Sequence, residues 1–366
     1  MPIRPGDVLA GAPMNERTED GRGEYILLPA RSVSDDDLAS FGAAIWPQQR
    51  NPKSILSSWW RKAAPECAVA AVHQPSGAMA GLCCGRPCQW VIERTIHPAV
   101  SICDWYVRPA HAGKLLGRRL LRRFEASGRL INAISISDVA CAYVRRLGWI
   151  GPYASDLMVM PLPHLGRACH RAIRPRSEIE FREHSIDGIR GLGELSADLD
   201  EIESARGADA LPHMRRGSDD WSWRLSIYPD RAYRFSVARR HDLPVGYVAV
   251  RPMATGRRGM GPFKGAVITD LVAIDDDHET LRLLGMKAVS VAAELGVAVA
   301  LFATTSRAHR RALTALGFLS SGFPVLGSVI KRRAPVFMWL PRGPGKELRM
   351  DRIEMTFADS TVDLDL

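Results

Sequence analysis

The 366-residue sequence has no long apolar run. Its longest, Ala288 to Phe302, is broken by Glu294 and falls short of the roughly 20 residues that a membrane helix needs. The N-terminal stretch MPIRPGDVLAGAPMNERTEDGRGEY has no apolar centre for a signal peptide, and residues 1–23 read as a flexible tail. Cysteine is scarce: seven, an odd number, with no CxxC pair. Cys83-Cys84-x3-Cys88 fits no zinc spacing, so buried reduced thiols, no metal and a cytoplasmic location are expected.

Charge of one sign is in modest excess, with 49 basic against 40 acidic side chains and a net charge of +9. The basic residues are mostly scattered, with no zinc-finger spacing, basic-region heptad or aromatic RNA-binding signature. A nucleic-acid partner is therefore not expected. One basic cluster stands out: Arg108, Lys114, Arg118, Arg119, Arg122 and Arg123, with no acid before Glu125. Hydrophobic residues make up 46% and charged residues 24%, which is a globular composition with material for two domains.

The chain repeats itself. Glu24–Ala30 is a strand-like run, followed by an acidic cluster and Trp59-Trp60. Cys67–Val72 and Ala78–Cys84 read as a hairpin around Gln74–Gly77. Ile102–Val107 is a third strand. A helix-period segment then carries Leu115, Leu116, Leu120, Leu121 and Phe124. A short strand, a helix through Tyr143 and the stop Leu147-Gly148-Trp149 complete the unit. The second half replays this order with Glu178–His184, Trp221/Trp223, the hairpin around Leu243-Pro244, Ile268–Ala273, a helix near Thr280–Glu294 and Leu316-Gly317-Phe318.

The landmarks recur at offsets of 163 (Trp60 and Trp223), 165 (Gly81 and Gly246), 166 (Asp104 and Asp270) and 169 (Gly148 and Gly317). Loop insertions produce such drift. The reading is two copies of one α/β domain: a cofactor-binding unit at 24–165 and a degenerate unit at 176–345, joined near Leu165–Pro175. A C-terminal strand or tail follows at 346–366, and its acids from Asp351 onward favour a solvated terminus.

The segment Val107-Arg-Pro109-Ala-His111-Ala-Gly113-Lys114-Leu-Leu-Gly117-Arg118 leaves a strand and enters a helix through a glycine-containing turn. Amides at a helix start lack intrahelical partners and, with the helix dipole, can hold a phosphate. Gly113 and Gly117 let a ligand approach the backbone, and Lys114 and Arg118 add charge.

At these residues the sequence resembles the GNAT acyltransferase superfamily, which carries V-x-P-x-x-[RQ]-G-x-G-x-G/A before a leucine-bearing helix. Val107, Pro109, Gly113, Gly117 and Leu120-Leu121 match. Ala112 and Leu115 depart from the pattern. The family's downstream signature falls on Ser137, Ala140, Val144, Arg146, Gly148 and Trp149, with Tyr143 one place before the usual tyrosine. The resemblance covers about 25–165 and recurs more faintly over 178–340.

It implies two tandem mixed sheets flanked by helices, and acetyl-coenzyme A bound where the fourth and fifth strands splay. The pantetheine arm would pair with Trp105, Tyr106 and Val107. The pyrophosphate would lie on Ala112, Gly113, Lys114, Leu115, Leu116, Gly117 and Arg118, with Ser137 either at the cofactor or capping its helix. The implied activity is N-acetyl transfer by direct attack of an amine on the thioester.

Asp104 is the candidate general base and Tyr143 the candidate acid. Asp270 holds the position of Asp104 in the second copy, so a structural acceptor is the competing reading. His111 reads as a solvated loop histidine, and the tryptophans as core or seam. The loop of the second copy, Asp275-Asp276-Asp277-His278-Glu279, would repel a pyrophosphate, so that copy is expected to have lost the cofactor. The acceptor is left open among a small amine, an amino sugar and a peptide amine. A non-catalytic coenzyme A scaffold and a Fem-type aminoacyl transferase are the alternatives.

Overall fold

The computed structural model describes residues 18–19, 24–45, 60, 67–134, 136–162, 178–206, 210–227, 231–253, 265–320, 336–341, 346, 348, 353–356 and 358. The expected linker Leu165–Pro175, Trp59 and the acids Asp359 to Asp365 lie outside them.

The first half runs β1 (Thr18–Glu19), β2 (Tyr25–Pro29), α1 (Asp35–Ile45), β3 (Ala68–His73), β4 (Met79–Ile92), β5 (Thr95–Val107), α2 (Leu116–Glu125), β6 (Leu130–Ile134), α3 (Asp138–Arg146), β7 (Ile150–Ala154) and β8 (Asp156–Pro161). The second half runs β9 (Ile179–Asp187), α4 (Gly193–Ala205), β10 (His213–Met214), α5 (Ser218–Ile227), β11 (Ala232–Arg240), β12 (Leu243–Met253) and β13 (Gly265–Ala273). It continues with α6 (His278–Glu294), β14 (Val299–Thr304), α7 (Arg307–Thr314), β15 (Leu319–Ser320) and β16 (Val336–Leu340).

These elements form two mixed sheets. One has the order β1-β2-β3-β4-β5-β6-β16-β7, the other β15-β8-β14-β13-β12-β11-β9. Each sheet takes one inner strand from the other half of the chain. β16 pairs antiparallel with β6, Phe337 opposite Ile134 and Leu340 opposite Ile131. β8 pairs antiparallel with β14, Asp156 opposite Thr304 and Pro161 opposite Val299. The sheets thus divide the chain differently from a cut near residues 165–176.

Three local differences from the sequence reading have physical causes. Thr18 and Glu19 pair with Leu27 and Ile26 at the sheet edge, so this part of the expected tail is a short strand. β4 and β5 run on through Pro87 and Pro98 into a long hairpin. Its turn is Glu93-Arg94, both left-handed at φ 49° and 65°, without the Asn-Gly signal such turns usually carry. Within the C-terminal segment, Ile353, Glu354, Met355, Thr356 and Ala358 are buried where a solvated terminus is expected.

Helix α2 shows how pattern becomes packing. Leu116, Leu120, Leu121 and Phe124 form one buried stripe against the first sheet, while its arginines face outward. The opposite face of that sheet is covered by α1 and Trp60, which pack on Ala68, Ala70, Leu82 and Cys84.

Candidate active site

β5 and β6 run parallel, but their pairing spans only Ala99–Ile102 against Leu130–Ala133. Asn132 fastens the strands there: its amide donates to Ser101 Oγ (3.0 Å) and its Oδ1 accepts from Trp90 Nε1 (3.3 Å). Beyond Ile102 the strands separate, and Asp104–Val107 pair with β4 on their other side. Cys103 is an extra residue between the pairs Cys84–Asp104 and Gly85–Ile102. This β-bulge re-aims the strand at the point where the splay opens.

After β5 the chain makes a tight turn at Pro109–His111 and enters α2 through two left-handed residues, Gly113 (φ 81°) and Leu115 (φ 57°). No atom lies within 4 Å of where a Cβ on Gly113 would stand. The first backbone bond of the helix is Arg119 N–H to Leu115 O (3.1 Å), so the amides before it lack intrahelical acceptors. Open space at Gly113, unpaired amides at Leu116–Arg118 and a splayed strand edge fit the coenzyme A that the sequence implies.

The other candidates divide. Gly117 serves packing: a Cβ there would stand 3.3 Å from the Trp105 indole, whose Nε1 donates to Gly117 O (3.0 Å). Lys114 is exposed but paired with Glu24, and lies 5.6 Å from the centre of the Tyr25 ring. Hydrogen bonds to Glu24 and Tyr25 raise its pKa. Ser137 caps α3, its Oγ accepting from Ala140 N–H (3.2 Å). His111 is not a free loop histidine: its Nδ1 lies 3.0 Å from the Tyr25 hydroxyl. Partial burial, then His73, Lys114 and Arg108, lower its pKa.

Asp104 and Tyr143 sit on opposite faces of the first sheet. Val144, the residue at the family's tyrosine position, is buried in the core, whereas Tyr143 is half-buried with its ring 5.5 Å from that of Trp105. Its hydroxyl has no hydrogen-bond partner among the described residues. Asp104 is buried on the other face and accepts from Trp60 Nε1 at 2.9 Å. Cys83 and Cys84 lie opposite Trp105 and Asp104, and burial, reinforced by neighbouring charge, pushes both thiols well up. Neither is a thiolate nucleophile.

Residues singled out by no motif complete the Asp104 face. Trp223 of α5, from the second half, packs against the cluster that holds Cys84, Cys103 and Tyr106. Arg86 of β4 stacks 4.5 Å from the Trp223 ring centre and bonds Asp220 of α5 at 2.5 Å. The paired-tryptophan echo was the only sequence signal for this roof.

The second sheet has the same splay, with β13 and β14 paired only at Gly265–Val267. Here the C-terminal segment enters. Thr305 N–H donates to Met355 O (3.2 Å), and Thr356 Oγ1 donates to Asp270 Oδ1 (2.7 Å). Asp270 also accepts from the Tyr247 hydroxyl (2.5 Å). Glu354 is paired with Arg206, and with Arg216 at 2.6 Å. Burial alone would raise the Glu354 pKa, but these arginines, with His309 and His213, hold it well below the usual carboxylate range. Asp276, His309 and Glu354 bring ligand atoms within 4.8 Å of one another, yet the carboxylate of Glu354 already bears two guanidiniums.

Residues 31–149 match the family model described as the acetyltransferase (GNAT) family. No curated protein matches the chain in sequence. Among solved structures, the chain is similar to a GCN5-related N-acetyltransferase from Anabaena variabilis, with 10% identity, 86% of this chain and 72% of that one covered, and a TM-score of 0.55. It is also similar to a probable N-acyltransferase from Enterococcus faecalis, with 9% identity, 88% and 71% covered, and a TM-score of 0.55. The N-myristoyltransferase of Saccharomyces cerevisiae, solved with bound myristoyl-CoA, shares 10% identity over 95% of this chain and 86% of that one, with a TM-score of 0.54. Residues 31–149 thus carry the model of the acetyltransferase (GNAT) family, and the chain as a whole shares the fold of the acyltransferases above.

Proposed function

We propose that the protein is an acetyl-CoA-dependent N-acetyltransferase that binds one cofactor per chain, in its first domain. The observation that carries this reading is the splay of β5 from β6 beyond Ile102, with the unpaired amides of α2 at its mouth. When bound, coenzyme A supplies the acyl group as a thioester. The main chain of Trp105–Val107 would hold the pantetheine arm, and the turn from Ala112 to Arg118 the pyrophosphate.

Asp104 faces away from that loop, toward the roof that α1, Trp60 and Trp223 build. It takes the proton that the acceptor amine loses, at a carboxylate oriented by the Trp60 indole. Tyr143, on the α3 side, holds a proton on its hydroxyl. Placing acid and base on opposite faces of one strand separates the proton leaving the acceptor from the proton needed by the departing sulfur. The second domain would then shape the acceptor cleft through α5.

Calorimetry with acetyl-CoA and desulfo-CoA, followed by a screen of amine and amino-sugar acceptors, tests this. Binding with turnover of an amine is the expected result. Binding without turnover of any acceptor would indicate a scaffold, and no binding would remove the reading.

A further inference from the structure

Between the two halves lies a recess lined by Arg86, Arg215, Arg216 and Arg224, against the single carboxylate of Asp220, with Trp221 and Ala358 closing it. Its cavity volume is about 10 Å³. Part of this charge is answered. Arg216 holds Glu354 and Arg224 donates to Ala358 O, while Arg215 bonds Gln89 Oε1 at 3.0 Å.

Arg86 is different. It is 3% exposed, its Nη2 is taken by Asp220, and its Nε and Nη1 are buried with no partner among the described residues. A buried guanidinium with two N–H groups unmet is costly to leave so, because each has given up water without a replacement. The complement is a small anion with acceptor oxygens. A carboxylate matches the planar, paired donors of arginine.

The position of Arg86 gives this a use. Arg86 is two residues beyond Cys84, which pairs with Asp104. A Cβ on the intervening Gly85 would meet Val100 and Phe124, so Gly85 faces α2 and its neighbours face the Asp104 side. Arg86 stacks on Trp223, which packs against the same buried cluster that includes Cys84. Two residues of strand span roughly 7 Å.

We infer that the recess binds a carboxylate of the acceptor, so that the amine acylated at Asp104 carries a carboxylate several bonds away rather than on the adjacent carbon. This rests on the reading of Asp104 as the acceptor side of an N-acyltransferase. Arg86 and Arg215 would supply the binding donors, and Trp223 would hold the Arg86 guanidinium flat.

Two measurements on the full-length protein test it, one independent of activity. In the first, acetate is titrated while the arginine Nε–H resonances are followed by NMR. The Arg86 signal should shift saturably, and Arg86→Gln should abolish the effect. Arg215→Gln, at a half-exposed site, should weaken acetate binding at least fivefold should Arg86→Gln fail to fold. No saturable acetate response in the folded protein would overturn the site.

In the second measurement, 5-aminopentanoate is compared with pentylamine and glycine as acceptors. The carboxylated long amine should exceed both in kcat/KM by tenfold or more, and Arg215→Gln should reduce that ratio at least fivefold. Equal use of 5-aminopentanoate and pentylamine would overturn the acceptor assignment. Acetate binding with no transfer to any amine would instead sink the acyltransferase reading while leaving the anion site standing. A third arm replaces Asp359, Asp363 and Asp365 by asparagine. If acetate binds only then, the carboxylate comes from the chain's own acidic tail, and the acceptor assignment falls.

Discussion

Trp60 Nε1 donates a 2.9 Å hydrogen bond to Asp104 Oδ2, joining the helical cover of the first sheet to the strand that bears the bulge. A hydrogen bond to an ionised group contributes about 1.5–3 kcal/mol. Trp60→Phe removes the donor and keeps most of the ring. The expected outcome is a lower kcat, because the carboxylate loses the partner that orients it. Asp104→Asn should lower turnover about 100-fold or more while acetyl-CoA still binds. Wild-type rates in a folded Asp104→Asn variant would show its role to be structural.

Gly113 provides the test of the phosphate loop. Its φ of 81° strains any L-residue, and the space around it is empty. Gly113→Ala should therefore cost only the strain, about 1–2 kcal/mol, without blocking the cleft. Gly113→Asp adds a negative charge where a pyrophosphate would lie. A further loss of about 2–3 kcal/mol would weaken binding roughly 30- to 150-fold, measurable by calorimetry. Equal affinity for Gly113→Asp and Gly113→Ala would remove the loop from the site.

How much of this could be read from the sequence depends on how local each feature is. The strand–loop–helix run from Ile102 to Phe124 was legible because its signals (apolar period, proline, glycine) act within a few residues. So was the presence of two mixed sheets flanked by helices, since each sheet solves the same packing problem. The packing of Gly117 on Trp105 was hidden, because a glycine beside an indole and a glycine beside a phosphate look alike in a sequence. The exchange of β8 and β16 was hidden, because an apolar strand of five or six residues fits an inner position in either sheet. Burial of Glu354 was hidden too: only the distant Arg206 and Arg216 make an acid tolerable there.

The second cleft should not bind coenzyme A, and the measured stoichiometry should be one per chain. Ile353–Thr356 already lies in it, and Asp275–Asp277 would face the pyrophosphate. Removing the charge of Glu354 takes the nearest carboxylate from the buried Arg206 and Arg216, leaving Glu203 at 3.9 Å and Asp270 at 3.6 Å. Breaking such a pair destabilises by about 3–5 kcal/mol. Glu354→Gln should therefore lower Tm by several degrees while a cofactor in the first domain stays bound. A stoichiometry of two in the native protein would show that the segment yields to the cofactor.

His309 links this core to pH. It is fully buried, and burial chiefly lowers its pKa to about 4, so it is neutral in the folded protein. The unfolded chain takes up a proton near 6.5, so the contribution is complete above that value and is lost as pH falls toward 4. Asp220 and Asp276, both pushed up to about 6 by burial, act the other way between about 4 and 6. The His309 share is isolated by subtracting the stability–pH curve of His309→Gln from that of the native protein. The difference should grow by about 3 kcal/mol between pH 4 and 6.5. Parallel curves would show that His309 does not titrate in this way.

The exchanged strand makes a prediction that separate domains would not. Trp339 belongs to the second half by sequence, yet it lies in the first sheet, opposite Asn132 and fully buried. It stacks on Tyr153 with ring centres 5.3 Å apart and packs with Trp90 and Phe337. Truncating a buried tryptophan costs about 3–5 kcal/mol. Trp339→Ala should therefore destabilise the sheet that holds the cofactor cleft, although it lies more than 200 residues from Gly113 in the chain. Hydrogen exchange should speed up first in β6, whose carbonyls and amides pair with β16, and then across β5. Deleting 171–366 removes β16 from the first sheet and leaves β8 without β14, so that fragment should lose acetyl-CoA binding and solubility together. A soluble, acetyl-CoA-binding fragment, or normal β6 protection in Trp339→Ala, would mean that the first domain closes without the borrowed strand.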